Sequence, residues 1–314
     1  MIKYIFKRVV HAAFVIWLVA TAVFLGLRTM PGDPARLALG MRAPQESVNA
    51  LREDLGLNDP IYVQYVDYWI NLLQLDLGNS MISGQEVNEI ILTAAPKTLS
   101  IAALAFVIGL IVAVPAGVIS ATNKGKAEDY LATIGAFLGV SLPAFFFGIL
   151  LAVIVGGWLQ LLPTYGYNEI SKGVIPWLQS ITLPAIAVGI PYAAIVMRMM
   201  RSSLLEELGA QYMETARAKG IPPRTALYKH ALQNAMIPVV TVAGIQVAFL
   251  LTGSVTTELV FGIRGLGRVL VESILQNDYT VVQAAILLVA AIMVYMNLVV
   301  DIIYTFLDPR IRYD

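Results

Sequence analysis

Residues 214–223 read ETARAKGIPP: a heptad of helix-forming residues carrying Glu214, Arg217 and Lys219, ended by Gly220 and followed by Pro222-Pro223. On both sides the chain turns apolar, at about 180–198 and 236–258, with one charged residue in each run. A polar helical connector held between two runs long enough for a bilayer decides the fold class. The rest of the sequence agrees with it. The 314 residues are 58% hydrophobic and only 13% charged, where a soluble domain carries roughly a quarter, and mean hydropathy is +0.74. That charge density cannot cover a soluble body of this size, so the chain reads as an all-α membrane protein.

Six runs reach the roughly 20 apolar residues that a transmembrane helix needs: about 9–29, 98–121, 131–158, 180–198, 236–258 and 282–306. They are continuous rather than alternating, which favours helices over a barrel. Lys3, Lys7 and Arg8 precede the first run, and Ala20-Thr21-Ala22 imitates a signal-peptidase site. That triplet lies inside a run continuing through Leu27, so an uncleaved anchor is expected. With the N-terminus inside, 13 Lys/Arg fall on the inner side and 8 on the outer. The positive-inside rule therefore places both termini in the cytosol. The expected organisation is an anchor helix at 1–29, an extracytoplasmic helical loop at 30–97, a core at 98–306 with an inner loop at 199–235, and a cytosolic tail at 307–314.

Composition also removes several chemistries. Net charge is +0 from 21 basic and 21 acidic residues, which gives no nucleic-acid signature. With no cysteine there is no disulfide or thiolate site, and two histidines, His11 and His230, make no HExxH zinc motif. Gly125-Lys126 is followed by Ala127 and is no P-loop. An intramembrane protease lacks its paired acids or Ser–His pair. A secondary transporter lacks buried ionisable couplers and a visible repeat.

The loops read as helical pieces. In the first, Val48, Leu51 and Leu55 share a face ahead of Gly56; Asp59-Pro60 opens Ile61 to Leu73; and Gln85 to Ala95 is a third amphipathic piece ended by Pro96. This loop suits a cap at the membrane interface, a docking surface for an external partner, or both. Segment 159–179 reads as irregular. After Gly262-Ile263-Arg264-Gly265-Leu266-Gly267 a short helix is expected over Arg268 to Leu275. In the inner loop Leu204 to Lys219 reads as one helix stopped by Gly220, then Arg224 to Ala235 as a second, with Pro238 starting the next span. Periodicity alone leaves the heptad open between a helix lying on anionic lipid and a helix whose small Ala216 and Ala218 admit another protein.

Glu214-Thr215-Ala216, three residues, Gly220, and then Ile237-Pro238 resemble the EAA loop of ABC-importer permeases, with Thr215 replacing an alanine. Pro31-Gly32-Asp33-Pro34, Leu55 to Pro60 with Tyr62 and Gln64-Tyr65, Asp76-Leu77-Gly78, Gly265-Leu266-Gly267, Asp278-Tyr279 and Asp308-Pro309-Arg310-Ile311-Arg312 extend the likeness over the whole chain. Together they resemble the first-permease subunit of the dipeptide/oligopeptide/nickel importer family. The resemblance implies a type I ABC importer permease fold in a bacterial-type inner membrane. It also implies a second homologous permease, two ATP-binding subunits that hold ATP and Mg, and an extracytoplasmic substrate-binding protein. It makes Glu214, Thr215, Ala216, Arg217, Lys219 and Gly220 the ATPase-coupling residues, with no catalytic, cofactor or metal site in this chain. Peptide cargo is the expectation, with nickel, glutathione or another small solute as alternatives. Polar residues within spans are candidates for lining a pathway, or equally for helix–helix hydrogen bonds; these are Gln246, Ser254, Thr257 and Ser141. Asn297 and Asp301, four apart, read as a structural pair.

Overall fold

The chain folds as helices joined by short turns, and it divides into two units. The computed structural model describes residues 2–29, 32–40 and 42–307. Pro31, the tail motif at 308–312 and the Asp301 side chain expected to meet Asn297 lie outside the described residues. In order, the helices are α1 (Ile2–Thr29), α2 (Pro34–Leu39), α3 (Gln45–Asp54), α4 (Ile61–Leu73), α5 (Val87–Thr122), α6 (Ala127–Ser141), α7 (Ala144–Leu151), α8 (Val174–Leu208), α9 (Gln211–Ala218), α10 (Pro223–Thr225), α11 (Leu232–Val260), α12 (Leu266–Gln276) and α13 (Tyr279–Leu307). Five of them are long and apolar enough to cross a membrane, and a sixth span is present if the bent pair α6–α7 is counted as one.

That bent pair corrects the expected third span at 131–158. The helix breaks at Leu142–Pro143 and turns by 104°. Leu142 is extended, at φ −102° and ψ 135°, because the residue before a proline is pushed out of the helical region and Pro143 has no N–H to carry the ladder on. Pro96 fails in the opposite sense. It was expected to end a separate piece, yet α5 runs through it. Val87, Ile91 and Ala94, just before it, are core residues, so packing holds the helix on that side. Pro184, Pro191 and Pro238 likewise lie inside helices α8 and α11 rather than bounding them, as membrane helices permit.

One unit comprises Phe6–Thr98 and Arg264–Tyr295. Its core joins Val87, Ile91 and Ala94 of α5 to Leu266 and Val269 of α12 and to Val281, Ala284 and Ala285 of α13. Asp33 caps α2 by accepting from the Ala35 N–H. Asp59 was expected to cap α4, but Pro60 itself is the N-cap residue, extended at φ −56° and ψ 143°. Thr21 of α1 bonds Tyr65 of α4 at 2.8 Å, and the Phe24 ring packs on Tyr65 and Tyr68.

Asp278 fastens the same unit. It is 4% exposed and accepts from Ser80 Oγ, from the Met81 N–H at 3.2 Å and from the Val281 N–H at 3.4 Å. It therefore caps α13 and ties down the 76–86 turn in one step. Asp278→Ala removes a helix cap, about 1 kcal/mol, and leaves buried donors unmet, about 1–3 kcal/mol more. The expected result is a thermal unfolding midpoint several degrees lower in detergent, with Asp278→Asn losing less.

The other unit contains Leu99–Ile263. Helix α8 is its axis: 72% of its span is buried, against 39% for the next most buried span. Small residues allow this, among them Ser180, Ala185, Ala187, Gly189 and Ala193. A Cβ on Gly109 would lie 2.4 Å from the Tyr192 ring, one on Gly189 3.1 Å from the Ala105 carbonyl, and one on Gly117 2.6 Å from Met200 Cβ. Helices α5 and α8 thus meet nearly backbone to backbone. Segment 159–173 is irregular apart from one turn at Ile170–Lys172. It is tied by Gly166 N–H to the Phe261 carbonyl at 2.8 Å and by Trp177 Nε1 to Tyr167 at 3.1 Å.

Candidate functional site

The expected helix over Leu204 to Lys219 is two helices. It breaks at Gly209 and Ala210, and Ala210 is extended at ψ 146°. Glycine is worth about 1 kcal/mol less than alanine in a helix, enough to place the break there. The eight-residue α9 that follows is a separate rod. Its end is a complete Schellman cap: Gly220 N–H donates to Arg217 O at 2.9 Å and Ile221 N–H to Ala216 O at 3.2 Å. Gly220 stands at φ +75°, a region that costs a side-chain-bearing residue about 1–2 kcal/mol. The second expected helix, Arg224 to Ala235, does not stand alone either. It is a turn of α10, a π-helical stretch Ala226–Ala231, and then the start of α11.

The two faces of α9 differ. Met213 and Ala216 are buried, at 1% and 8% exposure, so Ala216 faces its own chain and not a partner. Glu214, Thr215, Arg217, Ala218, Lys219 and Gly220 are exposed. The side chains of Glu214, Arg217 and Lys219 make no hydrogen bond or ion pair among the described residues. Thr215 spends its hydroxyl on the Gln211 carbonyl at 3.3 Å. With exposed Arg224 and Lys229 nearby, the face is cationic with one acid, Glu214, in its first turn.

The rod is also braced at its exposed start. Tyr212 donates to Glu207 at the end of α8, and Asn234 at the start of α11 donates to both, at 3.3 and 3.4 Å. Burial and the Glu207 carboxylate push the Tyr212 phenol up, so it stays a neutral donor. Ser203 of α8 donates to the Ala235 carbonyl of α11 at 3.1 Å. These bonds tie α9 to the ends of α8 and α11, and α8 to α11.

Sequence reasoning missed a second brace. Asp129, in the first turn of α6, takes a bidentate pair from Arg201 of α8, at 2.7 and 2.9 Å. It also accepts from Ser120 Oγ of α5 at 2.5 Å and from the Gly125 N–H at 2.9 Å. One carboxylate thus gathers α5, its turn, α6 and α8. The partners are 72 residues apart in sequence, and the only local signal was the acidic pair Glu128-Asp129 shortly after Lys124-Gly125-Lys126. Arg201→Ala leaves the Asp129 carboxylate without its cation, and a stranded charge is costlier than a lost pair. Its expected effect is a marked drop in thermal stability, mostly restored by Arg201→Ala with Asp129→Asn together.

The pathway candidates are not gathered. Gln246 and Thr257 lie on one stripe of α11, eleven residues apart, while Ser141 is exposed at the α6 end, beside the bend. Ser254 and Thr257 are fully buried and satisfied within α11, by the Leu251 carbonyl at 2.7 Å and the Ser254 carbonyl at 2.9 Å. Ser254 also lies 3.3 Å from buried Glu258. Gln246 differs: its Oε1 is buried without a hydrogen-bond partner. Among the described residues no group of three or more His, Cys, Asp or Glu could hold a metal.

This arrangement has known counterparts. The fold matches a crystal structure of an amino acid ABC transporter with histidines, with a TM-score of 0.50 and 16% identity over 71% of this chain and 94% of that one. A probable peptide ABC transporter permease protein, y4tP of Sinorhizobium fredii, is 39% identical over 99% of both chains. The glutathione transport system permease protein GsiC of Escherichia coli is 40% identical in strain O6:H1 and 39% in K12, over the full length of both chains. Residues 1–102 match the N-terminal family of binding-protein-dependent transport system membrane components. Residues 113–313 match the binding-protein-dependent transport system inner membrane component itself. With its apolar spans and its braced connector, the chain belongs to that family: it is a multi-pass inner-membrane permease subunit of a binding-protein-dependent ABC importer.

Proposed function

We propose that this permease translocates small peptides, and that α9 is the coupling helix through which separate ATP-binding subunits drive it. In this reading both termini and the 199–235 segment face the cytosol, and the 30–97 segment faces outward. The chain pairs with a second, homologous permease and receives cargo from an extracytoplasmic binding protein. ATP and Mg are held by the two ATP-binding subunits, and this chain is not itself catalytic. Glu214, Thr215, Arg217, Lys219 and Gly220 contact an ATP-binding subunit, while Ala216 fixes the rod against its own chain. Of the polar span residues, Gln246 is the strongest pathway candidate, since its buried acceptor is unmet among the described residues.

The carrying observation is the two-faced α9, with unpaired charges on one face and buried Met213 and Ala216 on the other, on a rod that Tyr212 ties to α8 and α11. A rigid lever needs both. The cargo reading leans on the relatives, one a probable peptide permease and others glutathione permeases. Glutathione, itself a tripeptide, is the second reading. The test is uptake by vesicles containing the importer assembled from the products of neighbouring genes, with labelled dialanine as cargo and unlabelled trialanine, glutathione and Ni2+ as competitors. ATP-dependent uptake displaced by trialanine is the expected result. Displacement by glutathione alone moves the cargo to the second reading, and nickel uptake without peptide uptake overturns both.

A further inference from the structure

The unit formed by Phe6–Thr98 and Arg264–Tyr295 holds a cavity of about 790 Å3 that coupling does not use. This is within the range of small-molecule sites, about 300–1,000 Å3. Its wall is charged with both signs. Arg28, at the end of α1, contributes the cation; Asp54, Asp67 and Asp76 contribute three carboxylates. Charges of opposite sign sharing a cavity ordinarily pair with each other. Here, among the described residues, Arg28 forms no ion pair, Asp54 and Asp67 make no hydrogen bond or ion pair, and Asp76 accepts only from the Gly78 N–H, at 2.9 Å; the three acids are exposed.

Arg28 is held in place by groups that leave its charge free. Its Nε donates to Gln64 Oε1 at 2.7 Å, and its guanidinium lies 3.9 Å above the centre of the Phe24 ring. Both terminal nitrogens remain without a partner among the described residues, which is the fork that binds a carboxylate through two parallel N–H bonds. Beside it Tyr68 lines the cavity, and burial raises its phenol, so the group stays a neutral donor. Moving along α4 away from Gln64, the wall presents Asp67 and then Asn71, with Asp76 beyond the helix end. Gln64 to Asp67 is three residues, about 4.5 Å, and Gln64 to the helix end ahead of Asp76 is nine, about 13.5 Å, at 1.5 Å per residue. An extended peptide advances about 3.3–3.6 Å per residue, so a chain of two to four residues falls between those limits. Three acids against one cation disfavour a simple anion.

We propose that this cavity binds a short peptide with free termini, its carboxylate on the Arg28 fork and its ammonium among Asp67 and Asp76. The proposal builds on the peptide reading above and adds a resting place for cargo between the 30–97 segment and the ends of α1 and α13. A phosphatidylethanolamine headgroup carries the same two charges and is the rival occupant.

The test uses the full-length chain in phosphatidylcholine nanodiscs and labelled trialanine in equilibrium dialysis, with trialanine amide and N-acetyl-trialanine alongside. Saturable trialanine binding is expected. Arg28→Gln and amidation of the carboxyl terminus should each weaken it about tenfold, and the two together no more than either alone, since both remove the same contact. Asp67→Asn, on an exposed position of α4 that poses little risk to folding, should weaken trialanine and leave N-acetyl-trialanine unaffected. The absence of saturable binding, additive losses from Arg28→Gln and amidation, or displacement of trialanine by phosphatidylethanolamine in the disc each overturns the proposal. If the assembled importer moves peptide while the chain binds none, the cavity assignment alone fails. If the chain binds peptide that the importer does not move, the transport reading alone fails.

Discussion

Glu214→Lys is expected to leave the permease inserted and folded while uptake falls by well over tenfold. Among the described residues nothing pairs with this carboxylate, which is exposed, so stability should not change. A like-charge contact across an interface costs several kcal/mol, and each step of about 1.4 kcal/mol is tenfold in an equilibrium constant. On a face already carrying Arg217 and Lys219, a third cation removes the only acid a basic partner group can meet. Gly220→Pro should give the same phenotype by another route. Proline fixes φ near −65°, whereas the site is at +75°, and the substitution deletes the N–H donated to Arg217. The cap opens and α9 loses its angle to the rest of the loop. Both variants are read by membrane content, by co-purification of the ATP-binding subunits and by uptake. Normal uptake in both would remove α9 from the mechanism.

Gly117→Leu is the second large effect, and it acts on folding. The first added carbon already meets Met200 Cβ at 2.6 Å, Met200 Cγ at 2.7 Å and the Met197 carbonyl oxygen at 2.9 Å. Met200 Cγ can swing away, but Met200 Cβ and the Met197 carbonyl are fixed to the backbone of α8. Overpacking of this kind costs about 1–3 kcal/mol for one or two carbons, occasionally more, and leucine adds four. We expect the variant to fail to accumulate. Gly117→Ala is milder, because alanine regains about 1 kcal/mol of helix propensity. Adding Met200→Ala should rescue neither variant, since the contacts with the residue-200 Cβ and the Met197 carbonyl remain and a buried side chain is lost. Melting curves of the purified variants check that order.

The membrane class and the number of spans were legible because lipid imposes a coarse rule: a continuous apolar run of bilayer length. The short helix α9 and its glycine stop were legible from local chemistry, a heptad of helix formers followed by Gly220 and Pro222-Pro223. Breaks inside runs were harder. Pro143 bends its span, whereas Pro96, Pro184, Pro191 and Pro238 do not end theirs, because packing on both sides decides whether the lost N–H is tolerated. Gly209 was hidden among strong helix formers. The bracing groups were out of reach altogether. Asp129 and Arg201, Glu207 and Asn234, and the walls of the Arg28 cavity come from distant stretches, and no local period marks them. The same limit applied to Ala216, whose burial depends on the π-helical turn that follows it.

The central claim is that the exposed face of α9 meets an ATP-binding subunit. The chain contains no cysteine, so a single introduced thiol reports one position only. Arg217→Cys places it on that face; Glu169→Cys places it in the 159–173 segment, which is expected on the opposite side of the membrane. With the whole importer in membranes, a short thiol-to-amine cross-linker should join position 217 to an ATP-binding subunit, in a yield that changes when ATP is added. Position 169 should give no such product. Cross-linking from position 169 but not from 217 would contradict both the coupling assignment and the orientation on which it rests.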